Sequence, residues 1–284
     1  MGHHYVPREY LRGFEDPNNP GKIWMYDKLS HRFTHATIIT VAQEACYYSE
    51  DAEKELSGFV EGPAHKVLKK LRSGDSINGH ERMSLALYIA TMLMRGPRRR
   101  RKAFEMLPTV RENVINRATL IITQWAQTSA ADPELKQRRL SELDRVSEKL
   151  RAQPPVDLVK KIRAPWPNDQ VLACVAIMTW RIASAGDAGF FLTSDNPVAF
   201  FEDYGLGNPE SEITFPLASD LALLGSWQGA LQETIFVRAK QTLVKEVNRR
   251  IASGAERFVF YRAFEDWVAR VAEKQNPQLS RIRW

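Results

Sequence analysis

Three groupings of polar residues in this 284-residue chain could do chemistry. The first is Ser194-Asp195-Asn196-Pro197, directly after the apolar run Phe190-Phe191-Leu192. A carboxylate at a strand end, in a turn stiffened by proline, suits metal ligation or general-base work. The same residue types also form turns in which the side chains bond the local backbone. The second grouping is Glu61 and His65, four apart, a spacing that puts both on one helix face. Such a pair can ligate a divalent cation, Mg²⁺ or Mn²⁺, with His4 and Asp195 completing a mixed nitrogen and oxygen shell. A solvated helix surface is the plainer alternative, because Lys66 adjoins the pair and Gly62-Pro63 interrupts the helix.

The third grouping is cationic. Arg95 ends an apolar helical stretch just before Gly96-Pro97. It could clamp a phosphate or carboxylate, or it could form a structural ion pair with Glu61. Arg98-Arg99-Arg100-Arg101-Lys102 follows. Arg98, Arg99 and Arg101 are candidates to track a phosphate backbone, although such a run also suits a solvated helix start. The N-terminal His3-His4-Tyr5-Val6-Pro7 carries large side chains where chain ends are usually polar and mobile. It reads as docked beside the site, with Tyr5 and Asn196 facing substrate. A purification-tag remnant is the competing reading of the two histidines.

Composition sets the class. The chain is 44% hydrophobic and 26% charged, with a net charge of +6 and a sequence pI near 9.3. Those are the proportions of an ordinary globular protein, and the basic balance is compatible with a nucleic-acid partner. Cys46 and Cys174 make neither a disulfide framework nor a zinc motif. No apolar run reaches the length of a membrane span and no signal peptide is legible, so a cytoplasmic setting is expected. Phosphate loops, dinucleotide fingerprints, nucleophile elbows and kinase motifs are absent.

The elements that must position these residues fall into three blocks. Two strands, 22–27 and 32–40, follow a turn cluster, Asp16 to Gly21. Amphipathic helices then run over 49–72, 78–95, 98–128 and 133–152, and a buried helix over 169–183. In the first, Leu56, Phe59, Val60, Ala64, Val67, Leu68 and Leu71 form the inward stripe. Gly62-Pro63 predicts a kink in it. Short strands follow at 190–194, 197–201, 212–216, 221–226 and 257–262, interrupted by a helix over 232–253. The order argues a single α+β domain over 1–284. Its helical insert, about 49–185, packs on a small, mostly antiparallel sheet formed by the N-terminal and C-terminal strands.

The chain resembles the bacterial domain-of-unknown-function family 4238. The resemblance rests on His4-Tyr5-Val6-Pro7-Arg8-Glu9-Tyr10-Leu11, on Arg95-Gly96-Pro97 and on Ser194-Asp195-Asn196-Pro197-Val198. Glu61, Pro216-Leu217 and Asn248 also match. The resemblance implies that His4, Glu61, Arg95, Asp195 and Asn248 belong to one site, and it supplies no activity. His65 and the 98–102 run lie outside its pattern. The expected function is a metal-dependent nuclease or other phosphodiester hydrolase, by analogy serving phage defence or acting as a toxin. In it His4, Glu61 and Asp195 bind metal or activate water, Arg95 steadies the phosphoryl oxygens, and Asn248 joins the substrate contacts. The alternative is a non-catalytic binding or sensing module in which the same cluster is a buried structural network.

Overall fold

In the computed structural model, residues 2–45, 47, 49–154, 166–274 and 278–282 are described. Cys46 lies outside them. The chain divides into a body, residues 1–99 and 163–284, and a helical unit, residues 100–162.

The body is α+β, and its described residues form three sheets. Strand β1 (Gly2–His4) pairs antiparallel with β4 (Gln43–Ala45), setting His4 opposite Gln43. The two expected strands form a hairpin, β2 (Lys22–Asp27) and β3 (Arg32–Thr37), the second ending three residues short of the expected 40. Its turn is closed by Asp27, which accepts from the Leu29 N–H and the Ser30 hydroxyl. The hairpin joins late strands β11 (Phe258–Tyr261) and β6 (Thr193–Ser194) in the order β3-β2-β11-β6, all antiparallel. The expected union of the two ends of the chain in one sheet is therefore observed.

The other late strands form a separate five-stranded sheet, which the sequence reading did not foresee. Its order is β10 (Thr234–Arg238), β5 (Thr179–Ser184), β9 (Leu221–Ser226), β8 (Glu212–Ala218), β7 (Ala199–Phe200). Two of these strands correct the expected helices. The helix over 169–183 stops early, as α7 (Asp169–Ile177), and the chain continues as β5. Thr179 to Ala183 are all buried, so their burial carries no alternation that would separate a central strand from a core helix. The helix over 232–253 begins only at Gln241, and β10 precedes it in parallel with β5.

The helices before the site follow local rules more closely. Asn78 caps α4 (Gly79–Arg95) through a reciprocal capping box with Glu81. Ser49 caps α2 (Glu50–Glu55), which has three acidic residues in its first turn, where the helix dipole favours them. The predicted kink at Gly62-Pro63 is instead a π turn, Leu56–Glu61, that leads into α3 (Gly62–Arg72). Proline inside an α-helix collides with the carbonyl four residues back, and the wider turn relieves that collision. The turn also shifts the helical phase, which is why Phe59, expected inward, is 73% exposed while Leu56 and Val60 are buried. Leu68 and Leu71 of α3 share the main core with Leu85 and Ile89 of α4.

Helix α5 (Pro97–Thr128) continues through Pro108, and α6 (Pro133–Ala152) starts at the Asp132 cap. Within the helical unit Arg111 donates to the carbonyls of Leu150, Arg151 and Gln153, closing the C-terminal end of α6. Arg151 pairs with Glu112 at 2.9 Å. Among the described residues no helix is long and apolar enough to cross a membrane.

Candidate functional site

The site grows from Arg95, the last residue of α4, whose side chain is buried. Its Nη1 donates to Glu61 Oε1 at 2.6 Å, and its Nη2 donates to the main-chain carbonyl of His4. One guanidinium thus ties the π turn, the end of α4 and the N-terminal strand together. Tyr47 adds a bond from its hydroxyl to the Arg95 carbonyl at 3.0 Å. The ring of Tyr47 meets that of Tyr5, with centroids 5.3 Å apart.

His4 is half-buried, and its Nε2 lies 3.1 Å from the Ile39 carbonyl. A carbonyl only accepts, so Nε2 carries the proton and Nδ1 is the basic nitrogen of the neutral ring. Burial lowers the His4 pKa, and the bond to Ile39 offsets part of the effect. His65 is treated the same way: burial lowers its pKa and the Glu61 charge partly restores it. Both rings are therefore held neutral near neutral pH. Glu61 and His65 face together as their spacing predicted, and the ring edge of His65 meets Tyr88 of α4 at 5.7 Å between centroids.

Glu53, one of the three acids in the first turn of α2 and not a candidate in the sequence analysis, belongs to this cluster. Burial raises its pKa, Arg95 opposes that, and Glu61 reinforces it. Its place among the first-turn acids of α2, where the helix dipole already accounts for a carboxylate, gave no sign of a second role.

Asp195 departs from its expected role. It is 1% exposed. Its Oδ1 accepts from the Glu256 N–H at 2.8 Å, and its Oδ2 from the Arg257 and Phe258 N–H groups at 2.7 and 2.9 Å. Burial outweighs the three main-chain donors, which lower the carboxyl pKa, and leaves it raised to about 6. Both oxygens are committed to holding the Ser194–Asn196 turn against the start of β11. This is the turn-forming alternative rather than a metal ligand or base. Asn248 is corrected in the same way: it accepts from the Leu192 N–H at 2.8 Å and donates to the Phe190 carbonyl at 2.9 Å, and it is 3% exposed. Tyr5 is also buried, and burial raises its phenol pKa, so it packs rather than contacts substrate.

The metal shell of His4, Glu61 and Asp195 is accordingly not assembled. Among the described residues no group of three or more His, Cys, Asp or Glu side chains is placed to hold an ion. These residues do not fit the expected Mg²⁺ or Mn²⁺ centre.

Asn196 donates to the Gly254 carbonyl at 3.1 Å, and its side-chain oxygen lies where a Cβ on Gly96 would stand. Glycine at 96 lets the end of α4 approach the Asp195 turn. Beyond this contact opens a cleft of about 380 Å³, lined by Arg98, Arg99, Asn196, Phe200, Phe201 and Arg250, among others. The Arg99 guanidinium lies over the Phe200 ring and Arg250 over Phe201, at 5.6 and 4.8 Å. Arg98 pairs with Glu202 at 3.4 Å. Arg101 lies in the helical unit and pairs with Glu105. The expected substrate contacts thus divide: Arg98, Arg99 and Asn196 line the cleft, and Tyr5 and Asn248 are internal.

Fold and site together define an α+β protein with a partly buried cluster of carboxylates, imidazoles and one guanidinium, where its first strand meets the helices. The chain belongs to the family described as Protein of unknown function (DUF4238), whose model matches residues 2–264. No curated protein and no solved structure matches it.

Proposed function

We propose that this protein is a phosphodiester hydrolase acting on nucleic acid, in a cytoplasmic setting. The Arg95 brace carries the reading. It fixes Glu61 Oε1, so that Oε2 is the oxygen that takes a proton from water. His4 and His65 are neutral imidazoles in the field of the same carboxylate, able to accept or pass that proton. The water oxygen bonds to phosphorus as the bond to the leaving oxygen breaks. The cleft lined by Arg98 and Arg99 supplies cations for phosphate and aromatic rings for bases. With Nη1 on Glu61 and Nη2 on the His4 carbonyl, Arg95 acts as a positioning residue and not as the phosphoryl clamp first expected.

The test is turnover of RNA, single-stranded DNA and duplex DNA by wild type and Glu61→Gln, each with Mg²⁺, with Mn²⁺ and with chelator. Loss of activity by about 100-fold or more in a folded Glu61→Gln protein supports the reading. Equal turnover by both proteins removes Glu61 from the chemistry. Activity only with added metal would return a cation to the site by donors other than the expected three.

A second reading, a binding or sensing module, draws on Asp195 and Asn248, whose side chains are committed to main-chain groups. It predicts nucleic-acid binding without turnover under any of these conditions.

A further inference from the structure

Four buried polar atoms around the Glu61–Arg95 pair have no hydrogen-bond partner among the described residues: Glu53 Oε2, His65 Nε2, Tyr88 Oη and Thr91 Oγ1. Tyr88 and Thr91 are fully buried. With Arg95 they occupy one face of α4, at the i, i+3, i+7 spacing. Buried polar groups are almost always satisfied, and exceptions call for a ligand, a water or a catalytic role. Four exceptions around one ion pair mark a buried polar cluster whose hydrogen-bonding capacity is not used up within the described residues.

The π turn explains how Glu53 enters it. An α-helix advances about 100° per residue, so eight residues would leave Glu53 and Glu61 about 80° apart. The π turn between them absorbs roughly one extra residue and reduces the offset to about 20°. The two carboxyl groups then belong to the same cluster, close enough for the Glu61 charge to act on Glu53, with different surroundings. Glu61 is paired with Arg95. Glu53 has an unpaired oxygen, and burial is the largest influence on it. Acid and base roles are assigned by environments of this kind.

We propose that Glu53 is the proton donor to the leaving group, with Glu61 as the base that takes the proton of the attacking water. This rests on the hydrolase reading above. The phosphorus–oxygen bond to the leaving group breaks as the Glu53 proton moves to that oxygen. The Glu61 proton then returns to Glu53 through solvent, closing the cycle with no other reactant.

Two substrates test the assignment: a dinucleotide, whose alkoxide leaving group needs a proton, and a nucleoside p-nitrophenyl phosphate, whose phenolate does not. In Glu53→Gln, dinucleotide turnover is expected to fall by about 100-fold or more while nitrophenyl ester turnover changes by less than about threefold. The alkaline limb of the wild-type pH–rate profile should also disappear. Glutamine matches the size and neutrality of the protonated acid, and thermal melting checks the fold. Should it melt early, the ratio of the two turnovers is read on Glu53→Asp. Equal loss on both substrates, or no loss, overturns the role of Glu53 and leaves the hydrolase reading standing. A wild-type protein inert toward both substrates and toward polymeric nucleic acid overturns the hydrolase reading, and this assignment with it.

Discussion

Arg95 and Glu61 meet at 2.6 Å across 34 residues of chain, with the arginine side chain 1% exposed and the glutamate 16%. A charge removed this far from water depends on its partner. Arg95→Ala should therefore destabilise the protein by about 3–5 kcal/mol, because it strands the carboxylate and frees the His4 carbonyl. Replacing both members by apolar residues of similar size should recover most of that loss. Denaturant midpoints measure both changes. An Arg95→Ala protein within about 1 kcal/mol of wild type would mean that the brace contributes little.

Asp195 makes a contrasting case. Asp195→Asn turns one acceptor into an NH₂ group facing main-chain N–H donors. Unpaired buried donors cost about 1–3 kcal/mol each, so a loss of about 2–4 kcal/mol is expected. Turnover per folded molecule should be unchanged, and Asn248→Ala should behave alike. A stable Asp195→Asn protein without activity would return Asp195 to the catalytic machinery.

Acid sensitivity should trace partly to Asp27. Arg257 grips both its oxygens, at 3.0 and 2.7 Å, and that bond is the largest of the influences holding its carboxyl well below the usual range. Because the folded value is depressed, the contribution is complete above the unfolded value of about 4 and is lost as pH falls below it. Wild type should lose more stability than Asp27→Asn between pH 5 and pH 3, read as urea midpoints. Asp195 works in the opposite sense between about pH 4 and its folded value of about 6, so only the difference between the two proteins isolates Asp27. Parallel pH curves would refute the assignment.

The cleft makes an electrostatic prediction. Arg98→Ala and Arg99→Ala should each weaken binding of single-stranded nucleic acid and lower the slope of log affinity against log salt by about 1. The rate at saturating substrate should change little. Filter binding across a salt series measures the slope. A wild-type slope retained in both variants would place the phosphates elsewhere.

What the sequence determined by itself was local. The first strand of the hairpin, over 22–27, and the inward stripe of α3 are written in neighbouring residues and fold as read. The His4–Leu11 and Ser194–Val198 motifs sufficed for the family, and the Glu61–Arg95 ion pair was already a stated alternative. Tertiary structure decided the rest. Thr179–Ser184 became a central strand because partners on both sides, β10 and β9, satisfied its backbone. Both oxygens of Asp195 were engaged by three N–H groups some sixty residues away, at Glu256, Arg257 and Phe258. Glu53 was turned closer in phase to Glu61 by the π turn before Pro63, which no side-chain periodicity announces. Caps and turns depend on atoms a few bonds apart along the chain. The desolvation and backbone donors that set the role of a buried carboxylate come from segments that only folding brings together.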